Sequence, residues 1–178
     1  MGGSQRNDPS MSKTEPSVLK IGEPAPEFTA QVIGGEFGDS PTTISLCDFR
    51  GKTVILYFYP KDDTPGCTTQ ACGLRDQWTE FQTLNVQIFG VSIDSIESHR
   101  KFIAKHHLPF PILADTEKQI VAAYQVWVEK SMYGKKYLGT ERSTFVIAPD
   151  GTLQAIFRKI KPAEHVQTLL RELLTSLS

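Results

Sequence analysis

Cysteine is scarce in this chain, with three in 178 residues. That is too few for a disulfide-dense scaffold. The odd count, with no secretory leader ahead of it, points to a reducing cytoplasm, where a close cysteine pair is more often catalytic or metal-binding than structural. Long hydrophobic runs are missing too. None approaches the roughly 18 residues of a membrane-spanning helix, so no span is expected. Charge of one sign is not in excess: 19 Lys and Arg against 20 Asp and Glu give a net charge of −1. The basic residues are scattered, which argues against nucleic acid or an anionic membrane as the main partner. There is no internal repeat, no P-loop, and no G-x-G-x-x-G after a strand. Direct binding of a nicotinamide cofactor is therefore not expected.

What remains is the composition of one soluble globular domain, 39% apolar and 22% charged, long enough to bury a sizeable core. Residues 1–17 are polar and rich in Gly, Ser, Pro and charge, with no apolar stretch of the secretory type. They are expected to be disordered. Met11 is an alternative natural start, which would make Met1–Ser10 an added leader. The domain is expected to run from 18 to 178.

Pattern reading places short strands at Thr29–Ile33 and Thr42–Leu46 around the glycine-rich turn 34–38. Val54–Tyr59 is a near-continuous apolar run, the mark of a strand covered on both faces. After it, Ala71, Leu74, Trp78 and Phe81 recur at helical spacing, predicting a helix of about four turns, and Val86–Ile93 reads as a second buried strand. Such a β-α-β unit pairs its strands in parallel through a right-handed crossover. Asp94-x-x-Glu97 offers a helix start, and Pro109 a stop after about His107. A short strand at Ile112–Leu113 and a short helix over Lys118–Tyr124 follow. Trp127–Thr140 is polar and reads as a loop. Ser143–Ala148 and Thr152–Lys159 flank Pro149-Asp150-Gly151, an antiparallel hairpin signal. Pro162 opens a last helix with the stripe Val166, Leu169, Leu170, Leu173, Leu174 and Leu177. The expected class is α/β, a mixed sheet with helices on both faces.

The chemistry concentrates in Tyr59-Pro60-Lys61-Asp62-Asp63-Thr64-Pro65-Gly66-Cys67-Thr68-Thr69-Gln70-Ala71-Cys72. The segment leaves a buried strand and enters a helix, so Cys67 falls near a helix start. Unpaired N–H groups and the helix dipole there favour a thiolate over a thiol. Only the thiolate is a strong nucleophile, which sets Cys67 apart from an inert core cysteine.

Pro60, Thr64 and Cys67 form P-x-x-x-T-x-x-C, which resembles the active-site motif of the peroxiredoxins. The longer string is similar to that of the peroxiredoxin Q branch, also called bacterioferritin comigratory protein, and the likeness extends from about Leu19 to the C-terminus. The resemblance implies a thioredoxin-like fold and a thiol peroxidase that reduces hydrogen peroxide and organic hydroperoxides without a metal or organic cofactor. It makes Cys67 the attacking residue. In that branch a second cysteine often stands five residues on, and Cys72 does so here, which implies a Cys67–Cys72 disulfide in each cycle. Thr64 would set its hydroxyl near sulfur and peroxide. Pro60 would lock the loop and shield the thiolate. Glu141-Arg142-Ser143-Thr144-Phe145-Val146-Ile147 resembles the family segment whose arginine reaches the sulfur, which singles out Arg142; spacing alone does not select it among the arginines. Thioredoxin, or glutaredoxin, is the implied reductant, in the cytoplasm, acting on a monomer.

Helix geometry adds a condition. Residues five apart on an intact helix have Cα atoms roughly 8–9 Å apart, whereas a disulfide needs about 4.4–6.8 Å. The helix must open locally, and Gly73 weakens it there by about 1 kcal/mol relative to Ala.

Cys47 reads as a bystander. His99, His106, His107 and His165 fall on predicted helices and read as solvated, with His106 and His107 a poor metal pair because neighbours point apart. Trp127 and Tyr133 read as partly buried loop anchors, or else as part of a docking surface. Two rival readings stay open. A thioredoxin-like disulfide reductase would usually carry C-x-x-C. A copper or zinc carrier would use the cysteine pair, but a structural zinc site needs four ligands and no second cluster is visible.

Overall fold

The computed structural model describes residues 18–176, so the expected disorder of 1–17, and Leu177, lie outside the described residues. Its centre is a seven-stranded mixed sheet. In chain order the strands are β1 (Thr29–Ile33), β2 (Thr42–Ser45), β3 (Thr53–Phe58), β4 (Val86–Ser92), β5 (Ile112–Ala114), β8 (Ser143–Ile147) and β9 (Leu153–Phe157), arranged spatially as β2-β1-β5-β4-β3-β8-β9. A separate hairpin holds β6 (Trp127–Met132) and β7 (Lys135–Thr140). The β3–β4 and β4–β5 pairs are parallel, as the crossover rule requires, and the outer pairs are antiparallel.

The period-two alternation of β3 divides the core between the faces. Val54, Leu56 and Phe58 point to one side, where they meet Phe89, Val91, Leu113, Tyr124 and Phe145. That side is covered by α4 (Gln119–Ala123) and the N-terminal segment around Phe28. Ile55, Tyr57 and Tyr59 point to the other, against Ala71 and Leu74 of α1 (Pro65–Asp76), Phe81 of α2 (Trp78–Thr83), Phe102 of α3 (Ile96–His106), and Leu169 and Leu173 of α5 (His165–Ser176). Each such side chain contributes roughly 1.5–3 kcal/mol by leaving water. Gly90 pairs with Tyr57 across β3–β4, and a Cβ there would sit 3.1 Å from the Tyr57 ring. Glycine therefore makes room for an aromatic side chain inside the sheet.

Four expectations need correction. Trp127–Thr140 is a β-hairpin, not a loop. Tyr133 (φ 53) and Gly134 (φ 78) form its tip, the paired positive φ that matches strand twist, although the strands are too exposed to show a buried face. The long helix after β3 is broken at Gln77, whose φ −108 and ψ 20 separate α1 from α2. The start of α3 is capped by the Ser95 hydroxyl, which accepts from the Ser98 N–H at 3.1 Å; Asp94 serves elsewhere. Pro162 opens a 3-10 turn, Pro162–Glu164, and α5 begins only at His165. Its stripe holds at Leu169 and Leu173, but Leu174 is 56% exposed.

Candidate active site

The sheet's own register assembles the site. Phe58, the last residue of β3, pairs with Ser143, the first of β8. The chain leaving β3 toward Cys67 and the chain entering β8 from Arg142 therefore meet at one end of the sheet. The Arg142 carbonyl accepts from the Ile160 N–H at 3.0 Å, which fixes its backbone.

Pro60, half-buried, directly follows the strand, and Tyr59 N–H still donates to the Val91 carbonyl at 3.1 Å. Thr64 is the N-cap of α1, with φ −98 and ψ 158. Its carbonyl accepts the first helical bond, from Thr68 N–H at 2.8 Å. Its hydroxyl does not cap the helix; it donates to the Lys61 carbonyl at 2.9 Å, leaving its lone pairs available to another donor. Pro65 occupies the first helical position, where its missing N–H is harmless. Cys67 follows two residues later, 1% exposed, in the turn whose N–H groups lack partners within the helix.

The half-buried Arg142 reaches this sulfur. Its Nη1 donates to Cys67 Sγ at 3.4 Å and to Gln70 Oε1 at 2.8 Å. Gly66 makes the approach possible, because a Cβ there would lie 3.1 Å from Arg142 Nη2. Among the described residues no carboxylate pairs with Arg142. Neighbouring Glu141 is engaged by Arg158 Nη1 at 3.4 Å and the Ser143 hydroxyl at 2.9 Å. The positive charge is thus left for the sulfur side of the site. Lys130 on β6 adds to it. Burial, and then Arg142, push its pKa below the usual lysine value, while Cys67 pulls it back up.

The floor of the site is buried and polar. His165 has one ring nitrogen 2.8 Å from Thr144 Oγ1. Burial first, and Arg142 second, lower its pKa to about 3, so it is neutral at working pH. Its ring lies 5.3 Å from that of Tyr57, whose pKa is raised by burial first and by Cys67 next. Tyr57 Oη, Gln70 Nε2 and His165 Nδ1 have no hydrogen-bond partner among the described residues.

Cys72 is half-buried on the same unbroken helix, and both cysteines are free thiols. Gly73 also has a packing role, since a Cβ there would lie 3.1 Å from Val166 of α5. Cys47 is exposed. Two sequence expectations fail. His99 and His165 are fully buried rather than solvated, because each satisfies a polar partner inside the core. Tyr133 is 97% exposed at the hairpin tip and so is not a partly buried anchor, which leaves its reading as part of a docking surface; Trp127 is half-buried as expected, with Lys118 Nζ 5.7 Å from its ring centre. Sequence reasoning missed Gln70, Gly66 and Lys130. The spacing of Gln70, three residues after Cys67, puts it on the same helix face and could have flagged it; nothing local marks Lys130.

Comparison with known proteins agrees with this geometry. Residues 21–156 match the AhpC/TSA family model. A peroxiredoxin Bcp of Bacillus subtilis is 46% identical over 156 residues, 88% of this chain and 96% of that protein. One of Escherichia coli is 40% identical over 152 residues, 85% of this chain and 94% of that one. Among solved structures, the bacterioferritin comigratory protein of Xanthomonas campestris, studied for alkyl peroxide reduction, superposes with a TM-score of 0.77 at 36% identity, covering 85% of this chain and 92% of that one. The chain belongs to the AhpC/TSA family. It has the thioredoxin-like fold and is a thiol peroxidase of the peroxiredoxin kind. Among the described residues no helix is long and apolar enough to cross a membrane.

Proposed function

We propose that Cys67 is the residue that attacks peroxide, with Cys72 resolving the product. The observation that carries this reading is the contact of Arg142 Nη1 with Cys67 Sγ at 3.4 Å, in the first turn of α1. A sulfur lone pair attacks the distal peroxide oxygen in line with the O–O bond. That bond breaks, and the departing alkoxide or hydroxide takes up a proton as alcohol or water. Cys67 is left as a sulfenic acid. Arg142 stays charged throughout and stabilises negative charge on the oxygens as it develops. Thr64, its proton engaged by Lys61, has lone pairs free to accept from a protonated peroxide. Pro60 holds the loop and shields the sulfur. The Cys72 thiol then attacks the oxidised sulfur, its proton passing to the departing hydroxyl, so that a disulfide forms and water leaves. A partner dithiol, thioredoxin or glutaredoxin, supplies the two electrons that restore both thiols.

The substrates in this reading are hydrogen peroxide and organic hydroperoxides, and the setting is a monomer in the cytoplasm. The domain in this reading is 18–178. The opening of α1 required for the disulfide follows from helix geometry. The test is peroxide consumption coupled to thioredoxin and its reductase. Wild type should turn over, Cys67→Ser should not, and full activity in that variant would remove the assignment.

A further inference from the structure

The loop that delivers Cys67 contains an acid that the reaction above does not use. Asp62 is 7% exposed and makes four bonds. Its Oδ1 accepts from Tyr59 Oη at 2.5 Å. Its Oδ2 accepts from Ser98 Oγ at 2.7 Å and lies 2.7 Å from His99 Nδ1. Its backbone N–H donates to Asp94 Oδ2 at 2.8 Å. These partners belong to the end of β3, the first turns of α3 and the β4–α3 junction, so one residue ties the loop to three elements. Asp63 adds an exposed second tie, through Lys105 Nζ at 2.8 Å and His106 Nε2 at 3.1 Å.

The His99 contact fixes a proton. The ring is 0% exposed, and its Nε2 lies 3.1 Å from the Leu113 carbonyl oxygen. A carbonyl can only accept, so Nε2 carries hydrogen. A neutral imidazole has a single N–H. The 2.7 Å contact at Nδ1 therefore requires a second proton, shared between His99 and Asp62. A hydrogen bond of this kind in a dry interior is strong, and leaving one member unpaired is costly.

We propose that the Asp62–His99 pair is the positioning device of the site. It sets the loop from Pro60 to Thr64, and with it the place of Cys67 relative to Arg142, which arrives on an independent part of the sheet. Asp62 touches neither the sulfur nor Arg142, so it acts through the loop. The inference rests on Cys67 being the attacking residue.

The test compares full-length Asp62→Ala, Asp62→Asn, His99→Ala and Ser98→Ala with wild type. The readouts are the second-order rate of oxidation by hydrogen peroxide and, at a pH where the thiol is ionised in every variant, the rate of alkylation by iodoacetamide, which needs no alignment with Arg142. In Asp62→Asn the new amide can donate a hydrogen to a neutral His99 Nδ1 while Nε2 keeps the Leu113 carbonyl, so this variant preserves the geometry without the extra proton. Asp62→Ala and His99→Ala should slow peroxide oxidation about 100-fold, the cost of a misplacement near 1 Å, while alkylation changes less than about threefold. Asp62→Asn should stay within about fivefold of wild type, and Ser98→Ala, which removes one bond of the four, should fall about fivefold. A peroxide rate in Asp62→Ala within about threefold of wild type overturns the proposal, as does an Asp62→Asn that falls as far as Asp62→Ala. Should Asp62→Ala fail to fold, Ser98→Ala decides, and an unchanged rate there overturns it. Mass spectrometry of the oxidised Cys72→Ser variant, in which no bridge removes the oxygen, separates the two layers. Oxygen found on a cysteine other than Cys67 removes the nucleophile and the clamp together; oxygen on Cys67 with an undiminished Asp62→Ala removes the clamp alone.

Discussion

Cys47 and Cys67 both lie in the first turn of a helical element, the one a short 3-10 turn and the other the helix α1, yet their surroundings are opposite. The turn of Cys47 (Leu46–Phe49) is capped by acids. Ser45 N–H donates to Asp48 Oδ2 at 2.9 Å, and Cys47 N–H donates to Glu27 Oε1 at 3.2 Å. Its sulfur is exposed, and the partial positive charge of the turn is already answered by carboxylates. The turn of Cys67 has no acid; it opens with Thr64-Pro65-Gly66, and its glycine admits a guanidinium instead of a side chain. On the proposed assignment, reactivity follows from what answers the N–H groups and charge of the turn, not from the cysteine or from helix geometry alone.

The contrast breaks most completely at the sulfurs themselves. Cys67→Ser should abolish peroxide reduction, whereas Cys47→Ser should leave the rate within about twofold, since exposed substitutions away from a site are nearly neutral. Steady-state peroxide consumption measures both. Arg142→Ala should slow attack by about 10²–10³-fold, the usual cost of losing one donor to developing negative charge. Stopped-flow oxidation reads this, and normal kinetics would mean another cation does the work. Cys72→Ser should leave the first oxidation of Cys67 within about threefold while reducing thioredoxin-driven cycling by about 100-fold, because the intramolecular thiol is replaced by a bimolecular one. Gly66→Ala sharpens the comparison from the other side. It improves helix propensity by up to about 1 kcal/mol, yet its Cβ would meet Arg142 Nη2 at 3.1 Å. It should slow peroxide attack about tenfold by displacing the guanidinium, with no loss of melting temperature.

The smallest effect is a pH dependence of stability at the site floor. The folded pKa of His165 is lowered to about 3, below its unfolded value. The stability it contributes is therefore complete above the unfolded pKa near 6.5 and declines as pH falls from there toward 3. Between about pH 6.5 and 5, wild type should lose about 1.5 kcal/mol more than His165→Gln in urea unfolding, since only the wild-type unfolded chain takes up this proton. Equal slopes would show that His165 takes up the proton in the fold as readily as in the unfolded chain.

The same comparison shows what could be read from the sequence. The buried strands β3 and β4 were legible because continuous apolar runs have few other uses. Cys67 stood out because a strand, a turn and a helix start lie within one short string, while the roles given to Thr64 and Pro60 came from the family resemblance. Arg142 needed the family resemblance, since its approach depends on the Phe58–Ser143 register across β3 and β8. The hairpin β6–β7 was missed because exposed polar strands carry no face-specific pattern. The burial of His99 and His165 was missed because a histidine's environment is decided by distant partners, Asp62 and the Leu113 carbonyl for one and Thr144 for the other. Helix periodicity said nothing of either.

The most direct test is mass spectrometry of the fully reduced protein after one equivalent of hydrogen peroxide, with peptides mapped around each cysteine. A single Cys67–Cys72 bridge and an untouched Cys47 are expected, with the Cys72→Ser variant retaining one oxygen on Cys67. Oxidation at Cys47, or a Cys67 left as a free thiol while peroxide disappears, would contradict this reading of the site.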